Sequence, residues 1–531
     1  MTNRSIIARL IVISFTIISC QRHKNQGNYS VTKIAKLPNP VNITTTPNNQ
    51  HIIYPISVGS KQHIIFDNEA EPEFEGIYIE KSFVMGHDFK RHGYLIATNK
   101  TQPGDCPTCG PPGKWRAVID RKFSAEYDKI AGITFSDDDN SVAFAAMKKR
   151  NNGTKYWVIV LNNKELPGTY DAISNLSPEF MPGGKSLMYV VKNSNNKSMV
   201  AINGTPGYEF DHIGHGIPLL SPDGKHFAYT GLNYTAKGST VVFDGKIGQM
   251  FDEIPEQSLV FSPESNHFAY GAHSLNDWQV IIDGVAQKKY RRVDNIAFSQ
   301  NGNIAYKAKK GEKWIIVLNG QEGMGYDSIM TGFPKFSPNS KYLAYSVKQN
   351  GRWIIKVEDV GMRKEVSFLS EDESSREGEI LSPEFSPDSK RLAFVTKIGN
   401  QKMVISDGEP SEKYDDIVSN IVFSADNKHF AFVAKRKKTI DQSKFIVVID
   451  GKEGPECDRI LNERLLSDLF SSDNINTGYA ACISGKWYFI INQHMSNQSY
   501  DTICNFLATS KGGYISMAIK NQTLYRINWN R

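Results

Sequence analysis

Three observations predict an all-β chain built of repeated four-stranded units. They are a Phe-Ser-Pro slot that returns along the sequence, apolar runs of strand length, and Asn-Gly or Asp-Gly pairs in phase with both. The slot stands as Phe261-Ser262-Pro263, Phe336-Ser337-Pro338 and Phe385-Ser386-Pro387. It recurs as Phe135-Ser136, Leu220-Ser221-Pro222, Phe298-Ser299, Phe423-Ser424 and Phe470-Ser471, with weaker copies near Thr45, His87, Phe180 and Phe506. About twelve units result, spaced by roughly 36 to 49 residues, which is the period of a four-stranded β-propeller blade.

One unit shows how the strands are read. Residues 258–262 form strand one, the turn Pro263-Glu264-Ser265-Asn266 leads to strand two at 267–272, and strand three follows at 278–282. Asp283-Gly284 then makes a type I′ hairpin, because both residues tolerate positive φ, and opens strand four. Matching pairs stand at Asn203-Gly204, Asp244-Gly245, Asn319-Gly320, Asp407-Gly408 and Asp450-Gly451. So many hairpins in phase predict a chain with almost no helix.

A further signature closes each unit, read as part of its fourth strand: Tyr127-Asp128-Lys129-Ile130, Tyr170-Asp171-Ala172-Ile173, Phe210-Asp211-His212-Ile213, Tyr326-Asp327-Ser328-Ile329, Tyr414-Asp415-Asp416-Ile417 and Tyr500-Asp501-Thr502-Ile503. At the midpoint it breaks to Tyr290-Arg291-Arg292-Val293, with about six units on either side. Propellers commonly carry 4 to 8 blades, so the expectation is two six-bladed propellers, at 29–288 and 289–531, joined near 287–295; the alternatives are a seven-plus-five split or a single large ring. The last unit stops after its third strand at 523–528, and residues 29–37 are expected to supply an outer strand.

The Phe-Ser-Pro-Asp-Gly-Lys core and the aromatic strand after it, such as His267-Phe268-Ala269-Tyr270, resemble the WD40-like (PD40) propeller repeats of the TolB type. The resemblance covers roughly 29–531 and implies interaction with cell-envelope proteins. The separate amino-terminal domain of TolB is not found.

The amino terminus reads as an export signal. Arg4 and Arg9 precede an apolar run at 10–18 that is too short to span a bilayer at roughly 20 residues. Ile17-Ile18-Ser19-Cys20 resembles the bacterial lipobox, which implies a signal peptide at 1–19, a diacylated Cys20 and stable membrane attachment through two or three acyl chains. Gln21 after the cysteine points to the outer membrane, periplasmic or surface-facing, and 20–28 is a polar tether.

The net charge of +6 over 531 residues, with 22% charged and 40% apolar residues, is ordinary for a globular protein and does not imply nucleic acid. The recurring Asp of the Tyr-Asp-x-Ile slot is expected to accept hydrogen bonds from turn N–H groups and not to bind cations. Trp115, Trp157, Trp278, Trp314, Trp353 and Trp487 open third strands and are expected to pack blade against blade. Pro182-Gly183-Gly184-Lys185-Ser186 lacks the leading glycine of a phosphate loop and reads as a hairpin turn. No catalytic set, metal site or cofactor motif is visible.

Cys106 and Cys109 stand in a Pro- and Gly-rich loop at 101–113, without the helix of a redox motif or further zinc ligands, and are a candidate disulfide. The pairing of Cys457, Cys482 and Cys504 is left open.

A basic residue recurs where strand two runs into its loop: Lys148, Lys192, Lys309, Lys348, Lys397, Lys435 and Lys520, thickened by Lys149, Arg150, Arg436, Lys437 and Lys438. Such a face attracts polyanions; lysine at strand ends also blocks edge pairing. The expected function is a non-enzymatic, lipid-anchored binding or scaffold protein of the cell envelope. Its partners would be an envelope protein or an anionic polymer, and no nucleic acid. The alternative is a propeller enzyme, a glycan lyase or hydrolase.

Overall fold

A computed structural model describes residues 29–36, 44–45, 52–97 and 113–529. Within these spans it leaves out 59–60, 68, 73, 75–76, 79–81, 89, 175–177, 215–216, 331, 333, 363, 366–378, 439–441 and 462–467. Cys20, Cys106 and Cys109 lie outside the described residues.

The described residues form twelve antiparallel sheets, each a four-strand meander. We number them as blades in chain order: blade 1 at 44–70, blade 2 at 77–123, blade 3 at 129–165, blade 4 at 172–206, blade 5 at 212–251 and blade 6 at 260–286. Blade 7 spans 292–322, blade 8 328–365, blade 9 379–410, blade 10 416–453, blade 11 459–495 and blade 12 502–529. Among the described residues the one helical element is the 3-10 turn Glu256–Ser258. In five sheets the first strand is interrupted, and both pieces pair with strand two. In blades 3, 7, 9 and 12 it is continuous but bulged, as between Ala131 and Ile133 in Lys129–Phe135, and in blades 1, 6 and 11 it is a two-residue strand.

Second and third strands are covered on both sides, which is why they read as unbroken apolar runs and not as an alternation. Phe394, Val433 and Val447 are at most 1% exposed. The blades stack through these strands: Trp157 of blade 3 packs with Leu187 and Tyr189 of blade 4. Trp115 of blade 2 does the same against Ile130 and Phe144 of blade 3, and Trp278, Trp314 and Trp487 join clusters with the blade that follows.

Two turns explain the repeat. At the first hairpin, the buried Ser136 donates its hydroxyl to Asp138 at 2.6 Å and accepts the Ser141 N–H at 2.9 Å. Ser221, Ser386, Ser424 and Ser471 repeat the donation to Asp223, Asp388, Asp426 and Asp473. At the second, Asp244, Asp283, Asn319 and Asp450 hold positive φ between 46° and 49°. Their side chains accept the N–H that opens strand two, as Asp283 does from Phe268 at 2.9 Å. Pro182-Gly183-Gly184-Lys185-Ser186 is such a first turn, closed by the Met181 N–H on the Ser186 carbonyl.

The Tyr-Asp-x-Ile signature does not belong to one fourth strand. The aromatic bridges to the start of the preceding blade's third strand, as Trp157 to Tyr170 and Trp314 to Tyr326. The Ile, two residues after the Asp, already pairs with strand two of the next blade, as Ile173 with Val191. The signature is the joint between blades.

Blade 12 is closed by the chain's other end. Its fourth strand is Tyr29–Lys36, antiparallel to Thr523–Trp529 with Tyr29 opposite Trp529, as the sequence led us to expect.

The chain divides into two compact units. One comprises Met1–Ser57, His63–Glu71 and Phe368–Arg531 and carries blade 1, apart from the tip of its central hairpin, and blades 9 to 12; the other comprises Val58–Gln62 and Pro72–Ser367 and carries blades 2 to 8. The join that the sequence places at 287–295 falls inside the second unit. There Tyr290 still bridges to Trp278, and the Arg291 N–H still bonds the Lys309 carbonyl. The break in the signature is a local charge swap: Arg291, standing where other joints carry Asp, pairs with Glu312 at 2.6 Å.

Candidate functional site

The basic residues singled out in the sequence lie at the joint end of each blade, and backbone pairing explains their position. The carbonyls of Lys192, Lys309, Lys348 and Lys435 accept the N–H groups of Asp171, Arg291, Asp327 and Asp415. Strand two ends at or within two residues of this point, still paired with strand three, so a long side chain there reaches solvent beside the loop between them.

Several of these cations are neutralised locally. Lys148 pairs with Glu165 at 3.1 Å, Lys309 with Glu312 at 3.8 Å, Arg436 with Glu453 at 2.7 Å and Lys438 with Glu456 at 2.7 Å. Arg150 lies over the Tyr156 ring, 4.5 Å from its centroid, and Lys435 lies over Phe445 at 5.8 Å. Lys192 reaches Asn196 at 3.4 Å. Among the described residues Lys149, Lys192, Lys348 and Lys437 have no carboxylate partner. Lys397 sits within Leu392–Ile398, and Lys520 ends Tyr514–Lys520 beside Asp501. The second unit thus holds Lys148, Lys149, Arg150, Lys192, Lys309 and Lys348, and the first unit holds the others.

The slot aspartates have the expected structural work. Asp211 accepts the Tyr234 N–H at 2.8 Å, Asp415 that of Lys437 at 2.8 Å and Asp501 that of Asn521 at 2.8 Å, each within the loop after strand two. At several joints, those of Asp211 and Asp501 among them, the second partner is a lysine that the sequence reading passed over; beside Asp415, Lys402 pairs with Asp416 instead. Lys114, Lys197, Lys313 and Lys486, one residue before or at the start of strand three, pair with Asp128, Asp211, Asp327 and Asp501 at 2.5 to 2.9 Å. Lys444 clasps Asp458 in the same way. Those lysine hydrogen bonds hold the Asp211, Asp458 and Asp501 carboxyls below the usual range. The dipeptides Lys114-Trp115, Lys313-Trp314 and Lys486-Trp487 were the available signal.

Cys457 takes the place of the joint aromatic and bridges to Phe445, while Cys482 takes the lysine place and accepts the Asp458 N–H on its carbonyl. Cys457, Cys482 and Cys504 are free thiols. Burial pushes Cys457 up to about 12 and Cys504 up to about 11, which suits packing and not nucleophilic chemistry.

Twelve four-stranded blades, their joints and their closing strand place the chain in the β-propeller class. No family model matches the chain, and no curated protein matches it. Among solved structures it is similar to a eukaryotic initiation factor, at 13% identity and TM-score 0.36, over 71% of this chain and 97% of that one. It is also similar to TolB from Acinetobacter baumannii, at 13% identity and TM-score 0.25, over 57% and 76%. A third likeness is to the β-propeller domain of the Trilobed protease from Pyrococcus furiosus, at 13% and TM-score 0.24, over 54% and 95%.

Proposed function

We propose that this protein is a non-catalytic, lipid-anchored binding scaffold of a bacterial cell envelope, docking a protein or an anionic polymer. The observation that carries the reading is the pairing of Tyr29–Lys36 with Thr523–Trp529. An acylated Cys20 would be followed by a tether at 21–28 that leads straight into this strand. At about 3.3–3.6 Å per residue, such a tether keeps the strand within about 30 Å of the lipid. Load on the anchor is then taken by a seven-pair ladder in the sheet that also holds the carboxy-terminal strands. Stable attachment of this kind serves a docking surface better than a diffusing one.

Docking is through the joint ends of the blades within each unit, where Lys149, Lys192 and Lys348 in one unit, and Lys437 in the other, offer cations without carboxylate partners among the described residues. Capture from crosslinked envelopes with the tagged, full-length protein tests the reading. A discrete envelope protein or polymer, retained above a secreted control protein, is the expected result. Retention equal to that control, or turnover of envelope glycans by the purified protein, would overturn it.

A further inference from the structure

Blades 7 and 8 enclose a cleft of about 670 Å³ at their hairpin end, within the size range of small-molecule sites. Its walls are four turns: the first hairpins of the two blades, at Asn301 and at Lys341, and their second hairpins, at Gln321 and at Asp359. The cleft exists because blade 8 departs from the repeat. Its ladder continues one pair past Leu343–Glu358, to Tyr342 opposite Asp359, and a longer loop replaces the Asx-Gly turn.

Asp359 is 4% exposed. One of its oxygens accepts the N–H groups of Gly361 and Met362, at 3.0 and 2.9 Å. The other, Oδ2, accepts no hydrogen bond among the described residues and is not sealed from solvent. This oxygen belongs to a side chain that lines the cleft.

The opposite wall offers donors, and their direction is fixed by the backbone. Asn319 Oδ1 accepts the Ile304 N–H at 2.9 Å, so its amide nitrogen must turn to Asn303, which it reaches at 2.8 Å. Asn303 must therefore present oxygen to Asn319 and nitrogen to Asn301, at 2.7 Å. Asn301 Oδ1 takes that bond and one from the Ser299 hydroxyl at 2.7 Å. The relay ends on the Asn301 amide nitrogen, with both N–H groups left over. Gln321 is exposed and bonds to nothing among the described residues, and Lys341, whose ammonium lies 5.5 Å from the Tyr342 ring centroid, lines the same space.

We propose that this cleft binds a neutral saccharide unit. Hydroxyl groups both donate and accept, so one ring can satisfy Asp359 Oδ2 on one side and the Asn301, Gln321 and Lys341 donors on the other. The partly exposed Val360 supplies the apolar surface against which the ring's C–H groups rest. A metal cation is disfavoured because the carboxamide oxygens are turned inward and Lys341 is adjacent. A phosphate or sulfate is disfavoured by Asp359, and no aromatic ring lines the cleft to stack a base. The inference stands apart from the envelope role, because purified protein reads it out.

Saturation-transfer NMR of the full-length protein with maltotriose, cellotriose and tri-N-acetylchitotriose at millimolar concentration tests it. At least one sugar should bind. Asp359→Asn and Asn301→Asp keep the turn-capping Oδ1 atoms and reverse only the groups that face the cleft; each should weaken that sugar about tenfold or more. Gln321→Ala, on a side chain without an internal partner, should weaken it in a blade that keeps its fold. Binding of none of the three sugars, binding untouched by all three variants, or calorimetric uptake of Ca²⁺ in place of sugar would overturn the proposal.

Discussion

Gly231 lies against the ring of Phe210: a Cβ on Gly231 would come within 2.4 to 2.5 Å of three Phe210 ring atoms. Phe210 is the joint aromatic between blades 4 and 5 and is 4% exposed, packed with Val190, Val200 and Tyr229. The ring has no free side to move toward. Gly231→Ala should therefore cost about 1–3 kcal/mol by overpacking. Denaturation of blades 2 to 8, followed by hydrogen exchange at Phe227–Asn233, measures it. Unchanged exchange would mean that the joint yields.

Acid should loosen the first turns. The Ser136 hydroxyl, then Asn140, hold the Asp138 carboxyl down to about 2, and Ser386 and Ser424 lower Asp388 and Asp426 in the same way. A carboxyl with its folded pKa below the unfolded value of about 3.9 stabilises the fold above that value and loses the contribution as pH falls through the folded one. The melting temperature should thus fall between about pH 4 and pH 2. In the triple variant Asp138→Asn, Asp388→Asn and Asp426→Asn it should fall less steeply over that window. An equal slope would show that these turns do not carry the acid response.

The closing strand should be the weak point of blade 12. Val31 pairs with Ile527 and packs with Phe489 and Phe506 in one cluster. Val31→Pro takes a backbone N–H out of the closing strand and alters its packing, and should raise amide exchange through Thr523–Trp529 while Leu392–Ile398 in blade 9 keeps its protection. Uniform protection of both strands would contradict this.

Much of the fold was legible because its signals are local. A Ser with a carboxylate two residues on, or an Asn-Gly pair, makes its turn within six residues, and these fixed the strand order in every blade. The closing strand was legible because the last unit lacked a fourth strand. The joint was not, because Tyr170 pairs backward with Trp157 while Ile173 pairs forward with Val191, and periodicity within one unit shows neither pairing. The Lys486–Asp501 clasp was missed for the same reason. At the midpoint Arg291 stands where other joints carry Asp and pairs with Glu312 in the following blade's loop, while Asp277 stands where other joints carry the lysine at the head of the preceding third strand. The cleft beside Asp359 depends on one extra ladder pair, which no motif marks.

Charge at the joint end should govern docking. Reversing Lys435, Arg436, Lys437 and Lys438 to Glu should lower partner capture from envelope extracts and flatten its dependence on salt. Because Arg436 and Lys438 are already paired with Glu453 and Glu456, most of the effect should come from Lys435 and Lys437. The double reversal of Lys435 and Lys437 should therefore reproduce most of it. Capture that is insensitive to both the reversal and ionic strength would exclude this surface.

The anchor is tested most directly by mass spectrometry of the mature amino terminus, purified from membranes. The account predicts a first residue Cys20 carrying acyl chains, and loss of membrane fractionation in Cys20→Ala. An unmodified terminus, or a Cys20→Ala protein that still fractionates as an integral lipoprotein, would contradict it.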